Sequence, residues 1–155
     1  MKLKEKDTIE SAEVFIFENG EPTKKNIKEL LKDKKAILFG LPGAYTSVCS
    51  ARHLPGYIKA HDEYKSKGVD CIICVSVNDP FVMDAWGKNH NVGDKILMVG
   101  DPFLSFTKSI GAEVDKLSLI HISEPTRRTP ISYAVFCLKK LSCVGIWSFA
   151  VVGRV

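Results

Sequence analysis

Three short apolar runs, separated from one another by helix-like segments, constrain the fold more than any other feature of the chain. They lie at residues 36–40, 70–77 and 96–99. Continuous apolar runs of this length are typical of strands covered on both faces, as in parallel sheets. The alternation of strand and helix therefore predicts an α/β fold whose central sheet contains parallel pairs.

Turn and capping residues divide the rest of the chain into helices and one more strand. Asn26 is expected to cap a short helix over 27–31, because its side chain can accept from a free N–H group of the first turn. A longer helix is expected to begin near Ser47 and to run toward Lys67, with Gly68 as its C-cap. The remaining signals are a strand at 14–17 with a turn at 18–22, a helix after Asn78-Asp79-Pro80, and a helix from Asp101-Pro102 through Ile110.

The composition is that of one ordinary globular domain: 155 residues, 45% of them hydrophobic and 26% charged. The net charge of +4 is mild, and lysines alternate with acids at residues 2–7, so the pattern does not favour a nucleic-acid partner. No apolar run reaches the roughly 18 residues of a membrane span, and residues 1–6 lack the apolar core of a signal peptide. Together with an odd number of cysteines, five, these features predict a cytoplasmic protein without a membrane partner.

Cys49 is the strongest candidate for a reacting side chain. It follows a predicted strand and the Pro42-Gly43 turn and stands at the start of the predicted helix. Free N–H groups and the dipole at a helix N-terminus favour a thiolate, which is the nucleophilic form of cysteine. Thr46 is positioned to direct its hydroxyl at the sulfur or at a substrate oxygen, and Pro42 to shield the sulfur from water. Position alone leaves a buried structural cysteine as the alternative.

The residues around Cys49 carry a family resemblance. Residues 39–50 contain Pro-x-x-x-Thr-x-x-Cys, followed by His53-Leu54-Pro55-Gly56-Tyr57. Together these segments closely resemble the peroxiredoxins, and specifically their peroxiredoxin-5-like branch. Residues 75–82, Ala85-Trp86-Gly87 and Asp101-Pro102 match the same branch, and the resemblance runs in register from about residue 3 to residue 115.

The resemblance implies a thioredoxin-like fold, with a central mixed sheet flanked by helices, and a thiol-dependent peroxidase without a cofactor. Cys49 would be the peroxidatic cysteine, which attacks hydrogen peroxide or an alkyl hydroperoxide and becomes a sulfenic acid. Thr46 would orient the peroxide and the thiolate, and Pro42 would pack over the site. Glutathione or thioredoxin would be the reductant, and the family implies a homodimer.

Other cysteines and histidines near these segments are predicted to be structural. His53 lies four residues after Cys49, but no further ligands stand at zinc spacing, so no metal site is predicted. A packing and hydrogen-bonding role at the pocket rim is expected for His53 instead. Cys71 and Cys74 lie three apart within a strand, where they point to opposite faces, so a disulfide between them is not expected.

The sequence after residue 116 does not continue the family pattern. Residues 117–127 resemble the translation of a transposase adapter used in sequencing libraries, and residues 131–138 resemble its outer end. The predicted domains are therefore a truncated peroxiredoxin domain, 1–116, and an artefactual tail, 117–155. The C-terminal part of the fold is expected to be missing, or imitated by Arg127 or Arg128 and the strand-like segment 131–138. Neither arginine is assigned a catalytic role, and Cys137 and Cys143 are not assigned as resolving cysteines.

Two alternatives to a peroxidase follow from the same residues. The chain could be a non-catalytic thioredoxin-like redox module in which Cys49 is oxidised but turnover is slow. It could also be an inactive chimeric translation product whose domain does not close. Steady-state turnover separates the first alternative from the peroxidase, and a cooperative unfolding transition separates the second.

Overall fold

The computed structural model describes residues 8–115 and 132–134, with side chains described for residues 8–112. The two terminal strands are described by their backbone. In chain order the elements are β1 Glu13–Glu18, β2 Glu21–Asn26, α1 Ile27–Leu31, β3 Ala36–Leu41, a π-helical turn Cys49–His53, α2 Leu54–Ser66, β4 Cys71–Ser76, α3 Pro80–Asn89, a 3-10 turn Gly93–Lys95, β5 Leu97–Gly100, α4 Ser105–Ser109, β6 Glu113–Asp115 and β7 Ser132–Ala134.

The first five strands form one mixed sheet in the order β2-β1-β5-β4-β3. The three strands predicted from apolar runs, β3, β4 and β5, are parallel neighbours. β1 runs antiparallel to β5 and to β2. The predicted central sheet with parallel pairs is confirmed, and its mixed character comes from the N-terminal hairpin.

Residues 21–26 form a strand, whereas the sequence predicts only a turn after β1. The connection is a two-residue loop, Asn19-Gly20, with φ of 54° and 87°. Positive φ at both positions is typical of the hairpin turn whose twist matches its strands. β2 is polar and largely exposed at the edge of the sheet. Edge strands that carry lysine and proline resist pairing with other chains, and that polar composition hid the strand from an apolar-pattern prediction.

The helices begin and end largely where caps were predicted, with one correction. The Asn26 side chain accepts from the Lys28 N–H at 3.0 Å, and Gly68 follows α2 with a φ of 77°. The last helix begins at Ser105 and not at Asp101. The Asp101 carboxylate, which lies four residues before the helix, instead caps it by accepting a hydrogen bond from the Thr107 N–H at 2.8 Å. The chain therefore turns after Asp101 before α4 begins.

The sheet buries a core on each face. One core contains residues of α1 and α4, and the other contains residues of α2 and α3 together with Cys49. Alternate residues of β3 and β4 serve the two cores, since successive strand residues point to opposite faces. For example, Leu38 and Ile73 lie in the first core, and Phe39 and Cys74 lie in the second. This layered packing explains why both strands are apolar throughout.

The two terminal strands, β6 and β7, form a separate antiparallel pair in which Val114 is opposite Tyr133. β7 lies within the segment 131–138 that the sequence predicts to imitate a strand. The boundary at residue 116 lies outside the described residues, as do Arg127, Arg128, Cys137 and Cys143. In the described part of the chain, no helix is long and apolar enough to cross a bilayer.

Candidate active site

The candidate site lies at the edge of the sheet where β3 and β4 end. Parallel strands bring their carboxyl ends to the same edge, a common place for functional groups in α/β proteins. The loop after β3 carries Pro42 and Thr46, and the helical segment that follows begins at Ser47. The three predicted site residues, Pro42, Thr46 and Cys49, are therefore presented by one loop and the first helical turn after it.

Cys49 is buried, with 2% of its surface exposed, in the core that also contains Leu54 and Trp86. It begins a π-helical turn in which its carbonyl accepts from the Leu54 N–H. Single π-helical turns within α-helices are frequent at functional sites. The predicted start of the helix near Ser47 is confirmed, and the wider turn at Cys49 is a feature that the sequence does not show.

The Thr46 hydroxyl donates to the Gly43 carbonyl at 2.9 Å. The expectation was a hydroxyl directed at the sulfur or at a substrate oxygen. Because the hydroxyl already donates its one proton within the loop, Thr46 can only accept a hydrogen bond from a thiol or a peroxide. Pro42 is half-buried at the start of the same loop.

Two further hydrogen bonds tie this region to α3. Tyr45 has a φ of 60°, which is costly for a residue other than glycine, and its hydroxyl accepts from the Asn89 side chain at 2.9 Å. The indole N–H of Trp86, a fully buried residue, donates to the Ser50 hydroxyl at 3.0 Å. Neither tether was predicted, since each joins residues far apart in the sequence.

The strand cysteines lie on opposite faces of the sheet, as predicted. Cys71 packs against the first core, whereas Cys74 lies fully buried in the second core with Cys49. Burial, and secondarily the negative charge of Cys49, raises the pKa of Cys74 well above its ordinary value. Cys74 is therefore held as a neutral thiol. All three cysteines of the described part are free.

His53 is half-buried in the turn that begins at Cys49, as its predicted packing role requires. Its Nδ1 is buried and has no hydrogen-bond partner, so the expected hydrogen-bonding role is not seen at this atom. Burial lowers the pKa of His53, because the charged imidazolium is poorly solvated there. Within residues 8–115, no group of three His, Cys, Asp or Glu side chains is arranged to hold a metal ion.

A pH dependence of stability follows from the lowered pKa of His53. The unfolded chain, with a histidine pKa of about 6.5, takes up the proton before the folded chain does. The free energy of unfolding should therefore fall as the pH drops below that value, and be retained above it. Urea denaturation between pH 5 and 8 measures the slope, which His53→Gln should flatten. An unchanged slope in that variant would assign it to another group.

The fold and the buried cysteine beyond β3 define a thioredoxin-like thiol protein. The family model described as Redoxin matches residues 5–130. The chain belongs to the redoxin family, and its relatives within that family are peroxiredoxins. Peroxiredoxin-2B of Arabidopsis thaliana is 48% identical over 101 residues, which are 65% of this chain and 62% of that protein. The chain thus spans under two thirds of the length of that relative.

Solved structures agree with this assignment. Reduced Prx3 from Vibrio vulnificus, in complex with hydrogen peroxide, matches with a TM-score of 0.74 at 38% identity, covering 85% of this chain and 77% of that chain. Peroxiredoxin 5 from Alvinella pompejana matches with a TM-score of 0.67 at 33% identity, covering 76% and 75%. The relatives also include a chloroplastic peroxiredoxin of Oryza sativa and a mitochondrial one of Arabidopsis thaliana. The predicted thioredoxin-like fold and the predicted family are both confirmed.

Proposed function

We propose that the chain is a thiol peroxidase that reduces hydrogen peroxide and alkyl hydroperoxides at Cys49. The observation that carries this proposal is the placement of Cys49, buried at the first helical turn after the Pro42–Thr46 loop. At a helix start the free backbone N–H groups and the helix dipole favour the thiolate, which is the nucleophilic form of cysteine. The peroxide bound to the similar Vibrio vulnificus structure supports hydrogen peroxide as a substrate.

The reaction transfers one oxygen from the peroxide to sulfur. The Cys49 thiolate attacks the terminal peroxide oxygen, an S–O bond forms and the O–O bond breaks. The second oxygen leaves as hydroxide or alkoxide and takes up the proton that the thiol lost on ionising, which gives water or an alcohol, and Cys49 becomes a sulfenic acid. Thr46 accepts a hydrogen bond from the peroxide while Pro42 limits water at the sulfur. Neither Arg127 nor Arg128 is assigned a role in this step, since both lie outside the described residues.

An external thiol closes the cycle. Two glutathione molecules, or the two thiols of one thioredoxin, supply two electrons and become a disulfide. The sulfenic acid returns to the thiol and its oxygen leaves as water. The test is the steady-state consumption of peroxide by the purified chain, with glutathione and with thioredoxin as separate reductants. Catalytic turnover with either one supports the proposal and identifies the reductant. Oxidation of Cys49 without turnover would favour the alternative, a redox module.

We also propose that the chain divides into a truncated peroxiredoxin domain, 1–116, and an artefactual tail, 117–155. Its support is the adapter-like sequence after residue 116. Residues 117–130 lie within both the proposed tail and the family match. Sequencing the source locus across Lys116, without the adapters of the original library, tests the division. A locus that encodes residues 117–155 as they stand would contradict it.

We propose a homodimer formed through an aromatic surface beside the site. Among the described residues, the exposed large hydrophobic side chains are Tyr45, Val48, Phe81 and Phe103. They follow β3, β4 and β5, and so lie at the edge that carries Cys49. A concentration of large exposed apolar side chains at one edge favours an interaction surface there. A second copy of the chain is the occupant that the family implies.

The dimer proposal predicts the effect of charge on this surface. The double variant Phe81→Asp/Phe103→Asp should weaken self-association by about a hundredfold, because interface aromatics carry much of the binding energy. Sedimentation velocity between 1 and 100 µM (a range of the order used for dimers of micromolar affinity) checks this. Lys28→Asp, on α1 at the other face of the sheet, is the matched control and should leave association unchanged. A monomeric wild-type chain would contradict the proposal.

The compartment is likewise proposed. The cysteine usage supports a reducing compartment, and we propose the cytoplasm. Because relatives include chloroplastic and mitochondrial proteins, cell fractionation of the source organism is the deciding measurement.

A further inference from the structure

Asn78 links the loop that carries Thr46 to the neighbouring strand. It follows β4, and its side-chain oxygen accepts from the Ala44 N–H at 2.7 Å. The same oxygen accepts from the Ser76 hydroxyl at 2.8 Å. The side chain of Asn78 therefore joins the carboxyl end of β4 to the middle of the loop after β3.

The peptide group between Gly43 and Ala44 is held from both sides. Its N–H donates to Asn78, and its carbonyl accepts from the Thr46 hydroxyl at 2.9 Å. The N–H and C=O of a trans peptide share one plane and point in opposite directions. Fixing the N–H therefore fixes the direction of the carbonyl that accepts the hydrogen bond from Thr46.

The backbone around Asn78 is itself closely packed. A Cβ atom added at Gly100 would lie 2.6 Å from the Asn78 carbonyl oxygen, so only a glycine allows β5 to approach this turn. The Asp101 N–H donates to the Ser76 carbonyl at 2.7 Å, and Asp79 caps α3 through the Val82 N–H at 2.9 Å. With these contacts on either side, Asn78 is a rigid anchor for a loop that contains a strained residue, Tyr45.

We infer that Asn78 is a positioning residue for the reaction of Cys49 with peroxide. It holds the Gly43–Ala44 peptide so that the Thr46 hydroxyl keeps donating to the Gly43 carbonyl, which leaves the Thr46 lone pairs for the substrate. Asn78 acts through Thr46 and touches neither the sulfur nor the peroxide in this role. The role rests on the proposed peroxidase function.

The test compares two reactions of Cys49 in the full chain. Single-turnover oxidation by hydrogen peroxide needs Thr46, whereas alkylation by iodoacetamide reports only the thiolate and its access. The ratio of the two rate constants should fall about tenfold in Asn78→Ala, since small misplacement of a positioning group is costly. Asn78→Asp, whose carboxylate accepts the same two hydrogen bonds, should keep the ratio within about threefold. Mass spectrometry of the Cys49 peptide follows the alkylation.

Ser76→Ala is the matched control, because it removes the other hydrogen bond to the same oxygen from a buried partner. It should lower the thermal midpoint and leave the ratio unchanged. In a Thr46→Val chain, Asn78→Ala should cause less than about a twofold further loss, since the two residues act as one unit. Should Asn78→Ala not fold, Asn78→Ser is assayed in the same way, because its side chain is too short to reach Ala44.

The outcomes separate this role from the proposed function. An unchanged ratio in Asn78→Ala, or a full tenfold loss in the Thr46→Val chain, would overturn the positioning role alone. A wild-type chain that is alkylated at Cys49 but does not react with peroxide would overturn the peroxidase function, and this role with it.

Discussion

Replacing Cys49 with serine should reduce peroxide consumption by at least about a thousandfold, a loss typical of removing a catalytic nucleophile. Serine is nearly the same size, so the core around residue 49 should keep its packing. Its hydroxyl, however, is not ionised near neutral pH and does not form a stable sulfenic-acid equivalent. The measurement is steady-state consumption of hydrogen peroxide with the reductant that supports the wild-type chain. Circular dichroism checks that the variant is folded.

The matched control for this variant is Cys71→Ser. Cys71 is half-buried on the opposite face of the sheet from Cys49 and packs against the other core. The control should retain peroxide consumption within about twofold, because serine is close in size to cysteine and the substitution lies across the sheet from the site. Full activity in Cys49→Ser would refute the peroxidase function at this residue. If both variants lose activity together with their folded circular dichroism spectrum, unfolding of the domain explains the loss.

The sequence predicts β3, β4 and β5 well and the polar strand β2 poorly, for one physical reason. β3, β4 and β5 are covered on both faces, so their residues must be apolar and their runs are visible. β2 has an exposed edge position and carries lysine, threonine and proline, which an apolar pattern does not register. The sequence places the start of α4 at Asp101, but the helix begins at Ser105. The Asp101 carboxylate caps it from the other side of the intervening turn.

The candidate site shows the same division between local and distant information. Pro42, Thr46 and Cys49 lie within one short motif, so the sequence reveals them together. Asn78 and Trp86 contact that motif through hydrogen bonds between residues more than thirty positions apart. One signal was available for Asn78. It stands at the carboxyl end of a predicted strand parallel to β3, which places it at the same edge.

Trp86→Ala should destabilise the domain by about 3–5 kcal/mol, the range for removing a fully buried tryptophan. Trp86 is 0% exposed in the core that contains Cys49, and its indole tethers Ser50. The loss combines the cavity left by the ring with the missing hydrogen bond. A typical domain is stable by about 5–15 kcal/mol, so the variant should unfold at much lower urea concentration. Urea denaturation followed by circular dichroism measures this.

Two further variants separate the parts of that loss. Trp86→Phe keeps most of the ring but removes the N–H, so the Ser50 hydroxyl loses its donor at a cost of about 1 kcal/mol plus a smaller cavity term. Lys88→Ala, also on α3, removes an exposed side chain paired with Asp84, and should cost less than about 1 kcal/mol. A loss in Trp86→Ala no larger than in Lys88→Ala would contradict the packing of this core. If the wild-type chain itself shows no cooperative transition, the inactive chimeric product becomes the better account, because a closed core with Trp86 at its centre must unfold cooperatively.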